Sequence, residues 1–189
     1  MERRLNQYNL DYGWLSGARK VESPNFEARP EGQPIDLLVI HNISLPPGEF
    51  GSDCIEAFFT NQLDFDAHPF FDEIRGVEVS AHLLIRRDGE LVQFVNFNDR
   101  AWHAGQSCHR GRENCNDFSI GIELEGTDTA PFTPAQYREL AAVTRALIDA
   151  YPELDQEGIA GHSDIAPGRK TDPGACFDWR RYREDLKQL

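Results

Sequence analysis

The chain has 189 residues, 40% hydrophobic and 27% charged with 12 phenylalanines, a composition that excludes disorder and fits one globular domain. Its formal net charge of -13 argues against nucleic acid or an anionic membrane as partner, because both select a positive surface. No apolar run has the length that crosses a bilayer, and no obligate protein partner is evident. The opening stretch MERRLNQYNLDYGW carries charges where an export signal needs an apolar core, so a cytoplasmic location is expected. Cys54, Cys108, Cys115 and Cys176 are then expected as free thiols or ligands rather than a disulfide framework.

Residues 1–36 are polar and rich in turn formers (SPNFEARPEGQP) and read as an arm over the surface. Leu37-Leu38-Val39-Ile40 is the first strand, a continuous apolar run suited to a sheet buried on both faces, and it runs directly into His41-Asn42. A short helix is expected over 55–63, capped by Asp53, with Phe58, Phe59 and Leu63 turned inward. The run VEVSAHLLIRRDGELVQFV reads as two strands joined at Asp88-Gly89, a pair suited to a hairpin turn. A loop with Trp102, His103, Cys108, His109 and Cys115 precedes the strand FSIGIELEG. There, alternation sets Ile120, Ile122 and Leu124 on one face and Gly121, Glu123 and Glu125 on the other.

Thr133 and Pro134 open a long helix as N-cap and first residue. Its buried stripe is Tyr137, Leu140, Ala141, Thr144, Leu147, Ile148 and Tyr151, and Pro152 ends it. A short apolar segment, 158–161, leads to His162, and a last helix runs from Trp179 with Asp178 as cap. These elements predict a mixed α/β (α+β) fold, a single domain with a central mixed sheet of four to six strands flanked by about three helices.

The segment GHSDIAPGRKTDPGACFDW, 161–179, gathers His162, Asp164, Arg169, Lys170 and Asp172 between Pro167, Gly168, Pro173 and Gly174. It is expected to be neither helix nor regular strand, and reads either as a solvated loop or as half of an active site. His41 stands at the carboxyl end of a buried strand, where open sheets bind ligands, and His162 ends another apolar segment, so the two are able to face one another. His103, Cys108, His109 and Cys115 also lie close in sequence, but their spacing matches no structural zinc pattern, and a loop with reduced thiols is the favoured reading. His82 reads as a packed or a substrate-facing histidine, and His68 as part of a loop.

Five runs, LLVIHNISLPPGEFG, VSAHLLIRRDGELVQFV, RAWHAG, CNDFSIGIELEGTD and GHSDIAPGRKTDPG, occur in an order that resembles the AmpD-type zinc amidases of Gram-negative cell-wall recycling. More distantly the chain is similar to phage amidase endolysins and peptidoglycan-recognition proteins. The resemblance spans about residues 12–183. It implies an N-acetylmuramoyl-L-alanine amidase acting on 1,6-anhydro-muropeptides, with one zinc ion held by His41, His162 and Asp172. It also implies catalytic roles for Glu123 and Lys170 and substrate contacts at Asn42, Trp102 and Ser163. The residue types agree with this: two imidazoles and a carboxylate leave the fourth position of a tetrahedral zinc site open, as hydrolysis requires. From the residues alone, Glu125 is an equal claimant for the role of Glu123.

Where related enzymes use arginines to meet peptide carboxylates, this chain has Glu78 and Asn114, so Arg86, Arg110 or Arg112 is expected to take over that contact. Within the resemblance, two other readings stand beside the recycling enzyme. One is an amidase aimed at intact cell wall; the other is a non-catalytic muropeptide receptor, whose relatives lose the zinc ligands that this chain retains.

Overall fold

A computed structural model describes residues 7–189, so the first six residues of the expected surface arm lie outside the described residues. In chain order the strands are β1 (Leu10–Asp11), β2 (Trp14–Leu15), β3 (Arg19–Lys20), β4 (Phe26–Ala28), β5 (Leu37–Ile43) and β6 (Leu83–Ile85). They continue with β7 (Leu91–Gln93), β8 (Asp99–Ala101), β9 (Cys108–His109), β10 (Arg112–Glu113), β11 (Ser119–Glu125) and β12 (Ile159–Gly161). The α-helices are α1 (Cys54–Phe59), α2 (Pro134–Ala150), α3 (His162–Ile165) and α4 (Trp179–Lys187).

Six strands form the central sheet in the order β12-β5-β11-β6-β7-β3. Strands β12, β5, β11 and β6 run parallel, β7 is antiparallel to β6, and β3 joins β7 in parallel. This is the expected mixed sheet. Alternation along β5 and β11 divides the core: Leu38, Ile40, Ile120, Ile122 and Leu124 pack with Leu140, Val143 and Leu147 of α2. On the other face, Leu37, Val39 and Ala160 meet Cys115, Phe118 and Ile165, while Leu84, Val92 and Phe94 meet Phe58, Phe59 and Phe71. Full burial of an aliphatic side chain of this kind stabilises the fold by about 1.5–3 kcal/mol.

Helix α2 starts where Thr133-Pro134 places it, in a reciprocal capping box: Thr133 Oγ1 accepts from the Gln136 N–H (3.1 Å) and Gln136 Oε1 from the Thr133 N–H (3.0 Å). The amide of Gln136 then donates to the carbonyls of Ile85 and Glu125, locking the helix start onto the ends of two strands. Asp178 caps α4 through the Arg181 N–H.

Four local expectations are revised. Residues 7–36 do more than cover the surface: β3 completes the central sheet, β4 pairs with β8, and the Arg29 guanidinium penetrates to the carbonyls of Asn116, Phe97 and Ser119. Strands of two or three residues are too short to show a period in sequence. Asp53 occupies the N-cap position of α1 without a capping bond, and the helix stops at Phe59, before Asn61 adopts a left-handed φ of 59°. The Asp88-Gly89 turn belongs to a five-residue connection, since Ile85 faces Leu91, and only Gly89 takes a positive φ. Finally, His162–Ile165 is one turn of helix in the segment expected to be irregular, its first turn held by Asp164, whose Oδ2 accepts from the Gly161 N–H. No helix among the described residues is long and apolar enough to cross a membrane.

Candidate active site

Parallel pairing brings the site together. Ile40 of β5 faces Gly161 of β12, so the next residues, His41 and His162, leave adjacent strands at the same end of the sheet. Their Nδ1 atoms stand 2.9 Å apart. Asp172 is returned to them by the loop that follows: the Ser163 N–H donates to the Asp172 carbonyl (2.9 Å), and Pro173 packs where a Cβ on Gly161 would lie only 2.8 Å from it. Asp172 Oδ2 consequently lies 3.1 Å from His41 Nδ1 and 3.0 Å from His162 Nδ1. Among the described residues these three form the one cluster able to hold a metal ion.

The donor set fits zinc. A tetrahedral ion about 2.0–2.1 Å from each donor sets its donors about 3.3 Å apart, close to the separations found here. The tautomers agree as well. His162 Nε2 faces the Ala104 carbonyl at 3.1 Å, and a carbonyl only accepts, so the proton sits on Nε2 and Nδ1 is bare. The His41 ring is buried, which favours the neutral form that a metal ligand needs. Burial, opposed by the Asp172 hydrogen bond, takes the His41 pKa down to about 4. Burial alone would raise the Asp172 pKa, but the His162 and His41 rings against its Oδ2 outweigh it and hold the group below the usual carboxylate range.

The two carboxylates on the same face of β11 are separated by their surroundings. Glu125 is 1% exposed and satisfied: Oε1 accepts from the Gly51 N–H, Oε2 from the Arg87 N–H, and Arg86 lies 3.7 Å away. Glu123 faces His41 in the register of β11 on β5, about one strand spacing away, and its Oε2 is sealed from solvent with no hydrogen-bond partner. Burial, reinforced by the Asp172 charge, raises its pKa well above the ordinary value, and Lys170 opposes the rise. Lys170 itself is exposed, and its charge bears on both Glu123 and His41.

The other expected site residues divide. Asn42 follows His41 and is half-buried, its Nδ2 donating to Asp128 Oδ1 at 2.7 Å. Trp102 immediately precedes His103, with its backbone bonded to Ser80 and its buried Nε1 unpartnered. Ser163 is half-buried beside His162. Arg112 is not brought to the site. It pairs with Asp36 at 2.5 Å, stacks on Phe118 at 3.7 Å and donates to Gln33. Asp36 precedes β5, some five residues or about 16 Å along the strand from His41. Arg86 and Arg110 are engaged too, Arg86 with Glu56 and Glu90 and Arg110 with the Glu157 carbonyl, so the expected transfer of carboxylate recognition to these arginines finds no support.

Two residues, His103 and Asp128, join the site without having been singled out for it, and Arg169, gathered in the 161–179 segment, structures its loops. His103, weighed only with the nearby cysteines, places Nδ1 2.9 Å from His41 Nε2. Arg169 bonds the carbonyls of Ala104 and Gln106, tying the loop before β9 to the loop that carries Asp172. Asp128 holds Asn42. A signal for the first was Gly121, a side-chain-free position among polar neighbours on the site face of β11. His82 resolves as a packed histidine: it is fully buried, its Nδ1 accepts from the Gly121 N–H, and burial lowers its pKa to about 3.

A family model described as N-acetylmuramoyl-L-alanine amidase (Amidase_2) matches residues 31–175. The chain is 64% identical over 174 residues to the 1,6-anhydro-N-acetylmuramyl-L-alanine amidase AmpD of Escherichia coli, covering 92% of this chain and 94% of that one. A crystal structure of a selenomethionine AmpD derivative superposes with a TM-score of 0.91 at 60% identity, covering 94% of this chain and 98% of the other. The Pseudomonas aeruginosa AmpDh3 in complex with an anhydromuramic pentapeptide superposes with a TM-score of 0.60 at 29% identity, over 82% of this chain and 61% of that one. By the extent and order of these matches, the chain belongs to the Amidase_2 family of N-acetylmuramoyl-L-alanine amidases, in its AmpD branch.

Proposed function

We propose that this chain cleaves the amide between the lactyl group of 1,6-anhydro-N-acetylmuramic acid and L-alanine in muropeptides of the cytoplasm, using one zinc ion held by His41, His162 and Asp172. The observation that carries the reading is the meeting of three ligand atoms with a half-buried Glu123, whose sealed Oε2 has no partner, in register with His41. The substrate class is supported by the AmpD relatives and by the anhydromuramic peptide bound to AmpDh3.

Bound zinc supplies positive charge that polarises the scissile carbonyl and acidifies water to a pKa of about 7. The remaining work falls to side chains of this chain. Glu123 takes the proton of the attacking water as the new carbon–oxygen bond forms. It delivers that proton to the alanine nitrogen as the carbon–nitrogen bond breaks, since an amine leaves poorly without one. Its raised pKa suits both halves of the cycle, because a carboxylate that holds a proton weakly neither accepts nor carries it well near neutral pH. Lys170 places an ammonium beside the oxyanion that develops on the carbonyl. Asn42, Trp102 and Ser163 flank the reacting bond and contact sugar and peptide. No guanidinium is assigned to the peptide carboxylates.

The test is incubation of the purified protein with 1,6-anhydro-N-acetylmuramyl-tripeptide, in parallel with whole sacculi, followed by mass spectrometry. Release of free tripeptide from the anhydro-muropeptide, abolished by a chelator and restored by zinc, is the expected result. Tight binding without released peptide, or release from sacculi alone, would defeat the proposal.

A further inference from the structure

The zinc ligands use Nδ1, so each ring has its Nε2 left to be held, and the two are held differently. His162 Nε2 meets the Ala104 carbonyl, a fixed acceptor. His41 Nε2 instead meets a third imidazole, Nδ1 of His103, at 2.9 Å. The His103 ring lies nearly perpendicular to that of His41, at 85° with centroids 5.0 Å apart, so that an edge nitrogen of one points at an edge nitrogen of the other. On its far side, His103 Nε2 is 3.1 Å from Ser119 Oγ, at the start of β11.

The surrounding chain is shaped for this ring. A Cβ on Gly121 would lie 2.4 Å from His103 Cγ, so only glycine at that position of β11 allows the imidazole to lie over the strand. The backbone N–H groups of His103 and Ala104 both donate to Asn116 Oδ1, at 3.1 and 2.8 Å, fixing the loop from which the ring hangs. Ser119 is fully buried and His103 nearly so, which leaves water little chance to substitute for either contact.

We infer that His103 is a positioning residue for the metal centre: its Nδ1 accepts the Nε2–H of His41 while its own Nε2–H is donated to Ser119 Oγ. This directed pair of hydrogen bonds keeps His41 in the one tautomer with Nδ1 bare and fixes the plane of its ring. The opposite direction, with His103 donating to His41 Nε2, would put a proton on His41 Nδ1, between two other ligand atoms 2.9 and 3.1 Å away. Outer partners that orient a ligating histidine in this way typically change metal affinity about 10–100-fold when removed.

The inference rests on the zinc reading above, and the experiment separates the two. Metal-free protein is titrated with zinc against a chromophoric chelator, for the wild type and for His103→Leu, His103→Asn and His103→Gln. Wild type is expected to bind one zinc per chain; if it binds none, the zinc reading itself fails. The leucine variant removes the acceptor and is expected to weaken zinc binding about 10–100-fold. Asparagine presents an oxygen near the position of Nδ1 and is expected to recover most of the affinity. Glutamine, whose oxygen reaches the position of Nε2, is not. Should the leucine variant not fold, the asparagine and glutamine pair decides, since both are polar and of similar bulk. A His41 Nε2–H resonance in nitrogen–proton spectra of the zinc-loaded protein, present in wild type and the asparagine variant and lost in the glutamine variant, is the second readout. Wild-type affinity in the leucine variant, or equal affinities in asparagine and glutamine with unchanged His41 resonances, would overturn the inference.

Discussion

Two buried polar clusters sit two residues apart along β11, one around Glu123 and one around Glu125, and they differ in a single respect. Around Glu125 each charge has an opposite charge or a donor beside it, although Arg86 Nε forms no hydrogen bond: Arg86 meets Glu56 at 2.5 Å and Glu90 at 3.3 Å, Arg19 adds a second guanidinium to Glu56, and backbone N–H groups complete Glu125 itself. Around Glu123 the three ligand atoms point at one another, and a sealed carboxylate oxygen has no partner. Burial and charge are common to both clusters. Arg86 Nε, though without a hydrogen bond, lies 3.3 Å from Glu90 Oε2; a sealed carboxylate oxygen with neither a donor nor an ion-pair partner marks the cluster fitted to a ligand.

Substituting each carboxylate separates the clusters most sharply. Glu123→Gln is expected to retain one zinc per chain and native stability while turnover falls about 10²–10⁴-fold, the range for losing a general acid–base group. Glu125→Gln is expected to do the reverse. It breaks one backbone bond and weakens the attraction to Arg86, costing about 2 kcal/mol in urea unfolding, with turnover per folded molecule unchanged. If Glu123→Gln kept near-normal turnover, the assigned base would be wrong and the comparison would lose its meaning.

The clusters also part company as pH falls. In the metal-free protein His41 and His82 have pKa values lowered by burial from the ordinary 6.5 to about 4 and about 3. The unfolded chain takes up protons below pH 6.5 while these buried rings do not, so stability drops as pH falls from 6.5 toward 4. Glu56 is held at about 2 rather than 4.5, chiefly by its hydrogen bonds with Arg19, so its contribution is intact above pH 4.5 and is lost only below. In metal-free Glu123→Gln protein, which lacks the raised carboxyl that acts in the opposite direction, urea unfolding is therefore expected to show a decline of about 2–5 kcal/mol between pH 6.5 and 4.5, at about 1.4 kcal/mol per unit for each ring. Glu56→Gln should leave that slope unchanged and flatten only the region below. A stability constant from pH 7 to 4.5 would remove the histidines from this account.

What the sequence made legible follows from how far each signal reaches. The runs of β5 and β11 and the capped start of α2 are written in contiguous residues, and the strand ends place His41 and His162 at one edge of a sheet without further help. The Asp172 loop was legible through its motif, though its single turn of helix was hidden among prolines and glycines. The choice between Glu123 and Glu125 was not legible, because alternation puts both on one face. What separates them are the Gly51 and Arg87 N–H groups and Arg86, supplied from distant segments. His103 was hidden for the same reason: its partner Ser119 is sixteen residues on and His41 sixty-two residues back. Arg112, conversely, looked available in sequence because its partner Asp36 is seventy-six residues away.

Arg112 therefore provides the mildest test, a charge belonging to neither cluster. Its guanidinium is tied to Asp36 and lies over Phe118 at the end of the sheet away from the ligands, with a side chain 40% exposed. Arg112→Ala removes a partly screened ion pair and a cation–π contact, together about 1 kcal/mol of stability by urea unfolding. Nothing in its position reaches a peptide held near Lys170, so KM for anhydro-muropeptide should stay within about twofold of wild type, a difference below 0.5 kcal/mol. A tenfold rise in KM without loss of stability would return Arg112 to the substrate. The pair with Asp36 would then have to open when peptide binds, and the distinction between charges that are answered and charges that wait would no longer be readable from the free protein.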